Sequence, residues 1–182
     1  MNITIISGSP RTESKTARIA QLLTTELRKK SSTIAVTDIY LHKANLPHIQ
    51  SVWQDKKDAP LEFQNIFETM EKSDAFIFVS PEYNGGFSPA LKNFVDHFPK
   101  NSYYRKPMAI AVGSPGAFGG MRAAMHLQQY VAALFGILLP QMLIIPQLDK
   151  KITETGTTED AATIASVGKC IDEYLWLVTK LR

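Results

Sequence analysis

Ser7-Gly8-Ser9-Pro10-Arg11-Thr12-Glu13-Ser14-Lys15-Thr16 gathers, in one short stretch, the groups that hold a phosphate. Gly8 permits a tight turn after the apolar run Asn2–Ile6. Hydroxyls at Ser9, Ser14 and Thr16 can donate hydrogen bonds, and Arg11 offers a charged fork. A helix beginning just beyond would present its unpaired N–H groups to the same anion. A polar turn in which Ser14 or Thr12 merely caps that helix accounts for one hydroxyl, but not for the whole set together with Arg11. Ser14-Lys15-Thr16 imitates the end of a triphosphate-binding loop, yet serines stand at positions 9 and 14, where that motif needs glycines. The dinucleotide fingerprint is also absent, since Gly8 is the only glycine in the loop. A hydroxyl-rich loop of this kind suits the dianionic terminal phosphate of a mononucleotide.

Two further stretches carry similar punctuation. Ser80-Pro81-Glu82-Tyr83-Asn84-Gly85-Gly86 and Gly113-Ser114-Pro115-Gly116, the latter continuing to Gly119-Gly120, each follow an apolar run. Ser80 stands where a nucleotide triphosphatase would place a magnesium-binding aspartate. Paired glycines let backbone lie close against a flat ring, because no side chain intervenes. Amides aimed at such a ring would stabilise charge arriving on it. Taken singly, Gly119-Gly120 reads as a helix entrance and Tyr83 as a surface aromatic. The three loops together read as one binding edge.

The elements that must position these loops alternate along the chain. Strand-like runs at Asn2–Ile6, Thr33–Ile39, Ala75–Val79 and Met108–Val112 are followed by a fifth, Ile137–Leu139 with Met142–Ile145, interrupted at Pro140. Between and after them lie helical patterns: Ala17, Ala20, Leu23 and Leu27 on one face; Leu61–Lys72; a helix capped by Ser88, entered at Pro89 and stopped by Pro99. A fourth carries Ala124, Leu127, Val131 and Leu134 and is stopped by Gly136. The last carries Ile164, Val167, Ile171, Leu175 and Val178, with Thr157 and Asp160 as a box-like cap. Five strands alternating with five helices imply one domain over residues 1–182, with a parallel sheet covered on both faces. Ligands of such sheets sit outside the carboxyl ends of the strands, where strand order reverses. The long irregular segment from Leu41 to Pro60, containing Trp53, is expected to be a lid or binding loop, with Trp53 over the ligand or at an interface.

Gly8-Ser9-Pro10-Arg11-x-x-Ser14, Pro81-Glu82-Tyr83-Asn84 with the helix start Ser88–Asn93, and Ser114-Pro115-Gly116-x-x-Gly119-Gly120 resemble the NADPH-dependent FMN reductase family. The resemblance spans nearly the whole chain; Pro10 is the one departure, at a position that varies in the family. It implies a three-layer, flavodoxin-like, doubly wound five-stranded parallel sheet. It further implies that Ser9, Arg11, Ser14 and Thr16 hold the FMN phosphate. Pro81, Glu82, Tyr83, Asn84 and Gly85 would line the flavin ring, and Ser114, Gly116, Gly119 and Gly120 would edge its pyrimidine side. NADPH, or NADH, would pass hydride through the flavin to a quinone, an azo compound, a metal oxyanion or free flavin. No side chain is needed as a general acid or base, and Glu82 is read as a structural carboxylate. The family likeness also implies a homodimer or homotetramer, with Phe87, Phe94, Phe98 and Met121 as apolar contact residues.

The rest of the 182 residues narrows the alternatives. Hydrophobic residues make up 45% and charged residues 20%, an ordinary globular composition. The formal charge of +3 sits poorly with a flavodoxin-like electron carrier, which is usually strongly acidic, although a carrier or a flavin redox sensor remains the alternative reading. Arg28, Lys29 and Lys30 end a helix and complement its dipole, so no nucleic-acid partner is expected. A cytoplasmic, non-membrane protein is expected from the absence of a leader pattern at Met1–Ile6 and of any long apolar span, and from the single cysteine, Cys170, read as a packing residue. His42, His48, His97 and His126 lack metal-ligand spacing. Asp96 and His97 read as structural or interfacial.

Overall fold

The computed structural model describes residues 1–44 and 46–181. Its elements in chain order are β1 (Asn2–Ser7), α1 (Ala17–Lys30), β2 (Ala35–Tyr40), α2 (Gln64–Lys72), β3 (Ala75–Ser80), β4 (Glu82–Tyr83), β5 (Gly86–Phe87), α3 (Pro89–Asp96), β6 (Pro107–Ser114), α4 (Met121–Ala133), β7 (Ile137–Leu138), β8 (Leu143–Pro146), α5 (Leu148–Lys151) and α6 (Ala161–Lys180). The main sheet is parallel throughout, in the order β2-β1-β3-β6, with β7 and β8 both alongside β6. The expected fifth strand is therefore present in two pieces. Proline at 140 has no N–H to give a ladder, and pairing lapses between Met108↔Leu138 and Ala111↔Leu143.

Burial explains why the central strands read as unbroken apolar runs. Ile3, Ile5, Ile77, Val79, Ala109 and Ala111 face a core shared with α1 and α6. Ile6, Phe76, Phe78, Met108, Ile110 and Val112 face a second core shared with α2, α3 and α4. Two cores, one per face, make the three layers. The tyrosines inside them are satisfied: Tyr174 donates to the Phe76 carbonyl and Tyr103 to the Val95 carbonyl, each at 2.9 Å.

Helix punctuation agrees in part with the sequence. Ser88 accepts from the Ala90 amide at 3.2 Å and Pro89 opens α3. The cap of α6 is Asp160 itself, accepting from the Thr163 amide at 2.8 Å; Thr157 instead sits in a threonine turn with Thr153. At the end of α4 the left-handed residue is Phe135 (φ 59°), not Gly136. Gly136 is required for space, since a Cβ there would lie 2.2 Å from Met108 Sδ. On α6, Ile164 is exposed, and Cys170 and Tyr174 complete the buried stripe instead. Burial pushes the Cys170 thiol up to about 11, in keeping with a packing role.

The part of the 41–60 segment around Pro47, Ile49 and Trp53 is packed down on α3 and does not stand over the cavity as a lid. Trp53 is 5% exposed and packs among Phe63, His97 and Phe98, with its amide bonded to the His97 carbonyl at 2.8 Å. Asn93 of α3 clamps the same segment, accepting from the Ile49 amide and donating to the Pro47 carbonyl. Phe94 and Phe98 are buried here as well, which removes them from any contact surface. His97 is held by the Asn93 carbonyl at 2.7 Å from Nδ1, and burial lowers its pKa. A depressed histidine pKa stabilises the fold above the unfolded value, near 6.5, and that contribution is lost as pH falls. Chemical denaturation followed by tryptophan fluorescence should therefore show stability declining from pH 7 to pH 5, and the decline should be shallower in His97→Gln. Equal slopes in the two proteins would rule this role out.

Candidate active site

Strand order places β1 and β3 side by side, while the chain leaves β1 towards β2 on one side and returns to β3 on the other. That is the reversal point at which doubly wound sheets bind ligands. Gly8 closes the gap there. Its amide donates to the Val79 carbonyl at 2.7 Å, and a Cβ would lie 2.9 Å from both that oxygen and Leu91 Cβ. The glycine is thus needed for close approach to β3 and α3; its φ is not positive.

Beyond Gly8, the loop arches over the end of β1. Ser9 is buried, accepts from the Arg11 amide at 3.3 Å and pairs with the Tyr83 hydroxyl at 3.3 Å. The Arg11 guanidinium stacks on the Tyr83 ring, 4.8 Å from its centre. Ser14 does cap α1, accepting from the Ala17 amide at 3.2 Å, and pairs with Thr16 Oγ1 at 3.1 Å. The simple capping role is therefore real for Ser14, but it leaves other donors idle. Among the described residues, the amides of Thr12, Glu13, Lys15 and Thr16 have no protein partner. The Ser7 hydroxyl at the foot of the loop is buried and unpartnered. Lys15 is engaged with Asp149 of α5 in an ion pair that holds the Asp149 carboxyl below its usual range.

The second loop is a β-hairpin, which the sequence reading treated only as a loop. Asn84 (φ 50°) and Gly85 (φ 84°) form its two-residue turn, and β4 and β5 pair through Glu82↔Phe87 and Tyr83↔Gly86. Both central residues of a type I′ turn need positive φ, which Asn-Gly supplies; that dipeptide was the overlooked signal. Ser80 fastens the base, accepting from the Ser88 amide at 3.0 Å and donating to the Pro81 carbonyl at 2.8 Å. Phe87 stacks on Tyr130 of α4, and Tyr130 donates to Asp96 at 2.7 Å, giving Asp96 a structural role.

Glu82 joins the hairpin to the third loop. The N-cap of α4 is Gly120, which has no side chain to offer, and Glu82 Oε2 accepts from the Arg122 and Ala123 amides at 3.1 and 3.4 Å. A carboxylate there also meets the positive end of the helix dipole. Gly119 (φ 62°) is equally constrained: a Cβ would lie 2.7 Å from the Pro146 nitrogen.

Together these loops enclose a cavity of about 600 Å³. Ser9, Arg11, Ser14, Thr16, Pro81, Glu82, Tyr83, Asn84 and Ser114 line it, as do Glu13, Lys15, Gly113, Pro115 and Leu148, which the sequence had not singled out. Gly85, Gly116, Gly119 and Gly120 do not line it. Gly119 and Gly120 are buried against β8 and β6, where they set the path of the loop. Leu148 comes from α5, a single turn too short to register as a pattern, and only the packing of β8 brings it there. The donor set fits FMN: idle amides, hydroxyls and Arg11 at one end suit a phosphate, and a hairpin at the other offers backbone to a flat ring.

Known proteins lie close to this architecture. An FMN-dependent NADPH-azoreductase of Staphylococcus saprophyticus is 25% identical over 156 residues, covering 84% of this chain and 81% of the relative. An NADPH azoreductase of a Bacillus species is 24% identical over 162 residues, covering 88% and 84%. FerB, a flavoenzyme NAD(P)H:(acceptor) oxidoreductase from Paracoccus denitrificans, superposes with a TM-score of 0.78 at 24% identity over 98% of this chain and 97% of its own. At that identity the likeness establishes the fold alone. Residues 1–149 match the sequence profile of the NADPH-dependent FMN reductase family, and the chain belongs to that family.

Proposed function

We propose that this protein is an NADPH-dependent FMN oxidoreductase that reduces small-molecule acceptors, azo compounds and quinones foremost. The observation that carries this reading is the pairing, in one cavity at the sheet's reversal point, of a phosphate-competent loop with the β4–β5 hairpin. The chemistry supplied by bound FMN is acceptance of hydride from NADPH and delivery of the electrons to the acceptor. The names of the azoreductase relatives favour azo compounds; metal oxyanions and free flavin are further candidates.

The chain's own residues bind and orient. Ser9, Ser14, Thr16 and Arg11 hold the phosphate together with the idle amides of Thr12, Glu13, Lys15 and Thr16. Arg11 already lies over Tyr83, so it reaches the anion without leaving the cavity wall. Pro81, Glu82, Tyr83, Asn84 and Gly85 present the hairpin to the ring. Ser114 and Gly116 bring the third loop to the ring's far edge, while Gly119 and Gly120 hold that loop down. Glu82 fixes the hairpin against α4. We assign no side chain as a general acid or base. Phe118, Met121 and Met125 are exposed beside the third loop, an apolar patch that supports a homodimer with the cavity near its interface; Phe87 borders the same area. No helix among the described residues is long and apolar enough to cross a membrane, and a cytoplasmic location suits the single, free cysteine.

The purified protein should take up FMN, turn yellow and bleach rapidly when NADPH is added without air. A protein that binds FMN but ignores NADPH would be a carrier or sensor, and one that takes up no FMN would defeat the proposal. Arg11→Ala should weaken FMN binding by ~1–3 kcal/mol through loss of a charged hydrogen bond, measured by quenching of flavin fluorescence. Unchanged affinity would remove Arg11 from the phosphate site. Glu82→Ala should lower the stability of the FMN-free protein by about 1 kcal/mol, as loss of a helix cap does, and weaken FMN binding as well. If thermal melting and flavin affinity both match the parent protein, Glu82 has no anchoring role.

A further inference from the structure

Beside the phosphate loop, towards β2, lies a second hollow of about 650 Å³. It shares Glu13, Ser14 and Lys15 with the flavin cavity, so the two lie on either side of the same short stretch of loop. Its wall is polar and carries cations from α1 and from the turn after β2. Arg18 is preset: Nη1 donates to the Ile152 carbonyl at 3.2 Å, and Nη2 meets Glu154 at 3.5 Å. The Arg18 side chain is 18% exposed but that of Glu154 is 90% exposed, so the carboxylate is held only from one side and a dianionic phosphate can compete for Arg18. Among the described residues Lys43 makes no ion pair; its ammonium lies over the Tyr40 ring, 5.5 Å from the centre. His42 lines the same hollow, its Nδ1 buried and without a hydrogen-bond partner among the described residues. Lys15 is already occupied by Asp149 and adds little here. The opposing charges, Glu13 and Glu154, are both exposed and free to swing aside.

A ligand that spans the flavin cavity and this hollow needs a second anionic group to meet Arg18 and Lys43. We propose that the hollow receives the adenosine 2′-phosphate of NADPH, with Arg18 and Lys43 as the residues that distinguish NADPH from NADH. The proposal rests on the reductase reading above. It uses the rule by which an arginine near the ribose accommodates the phosphate that NADH lacks. A fork held at one end by a backbone carbonyl and open at the other binds such a group with little loss of side-chain freedom.

The test uses the FMN-loaded protein. Calorimetric titration with adenosine 2′,5′-bisphosphate and with adenosine 5′-monophosphate should show the bisphosphate binding about tenfold more tightly or better. That margin should shrink in Lys43→Ala and in Arg18→Gln, and the ratio of kcat/KM for NADPH over NADH should fall about tenfold in each. FMN content and melting temperature identify any variant that fails to fold, and the exposed Lys43 guards against that outcome for Arg18. Equal affinity for the two nucleotides, or an unchanged NADPH/NADH ratio in folded Lys43→Ala, would overturn the proposal. Failure of the parent protein to bleach with either nucleotide would instead overturn the reductase reading, while the calorimetric comparison still decides what the hollow binds.

Discussion

The seating of Gly8 between Val79 and Leu91 is the constraint on which the site depends. One amide-to-carbonyl bond of 2.7 Å ties the phosphate loop to β3, and no other residue type fits the gap. With the first loop pressed against β3, Ser9 reaches Tyr83 and Arg11 reaches its ring. The hairpin therefore stands opposite the phosphate loop because the strands beneath are neighbours and the backbone between them is bare. A side chain at residue 8 would part the loops, and the cavity with them.

The remaining supports work by the same economy, each satisfying a group that would otherwise be idle and fixing a loop in doing so. Glu82 caps α4, whose own N-cap position is a glycine, and so locks the hairpin to the third loop. Ser80 accepts the Ser88 amide and holds the hairpin's base at the entrance to α3. Gly119 and Gly120 let the third loop lie directly on β8 and β6. What these contacts leave unpaired is informative: the amides of Thr12, Glu13, Lys15 and Thr16 and the Ser7 hydroxyl remain. The amides of Thr12, Glu13 and Lys15 face solvent, and the Ser7 hydroxyl is the buried group that a ligand or ordered water must meet.

Charge is distributed to match. The basic end of α1 is absorbed structurally: Arg28 bonds the Val36 carbonyl, Lys29 pairs with Glu26 and Lys30 with Asp172. Arg11, Lys43 and, through a pair exposed on its Glu154 side, Arg18 remain available for anions, and all three lie around the phosphate loop.

Read by itself, the sequence determined the core parallel strands, their alternation with helices and the three loops, because periodicity and turn chemistry are local properties of neighbouring residues. That the interrupted last strand pairs as two separate strands, and that β4 pairs with β5, lay beyond it. It determined Ser88 and Pro89 as a helix start for the same reason, whereas the partners of Glu82, some forty residues away on α4, came only with the fold. It left Trp53 either over the ligand or at an interface, and only packing revealed that Trp53 is pinned against His97 and Phe98. Phe94 and Phe98 were assigned to an interface for want of the same knowledge, since a sequence does not say which apolar face a neighbour covers. The roles of Gly8, Gly119 and Gly136 were likewise decided in three dimensions. Each glycine answers to an atom far along the chain (Val79, Pro146 and Met108), and a distance between remote residues exists only once the sheet has brought them together.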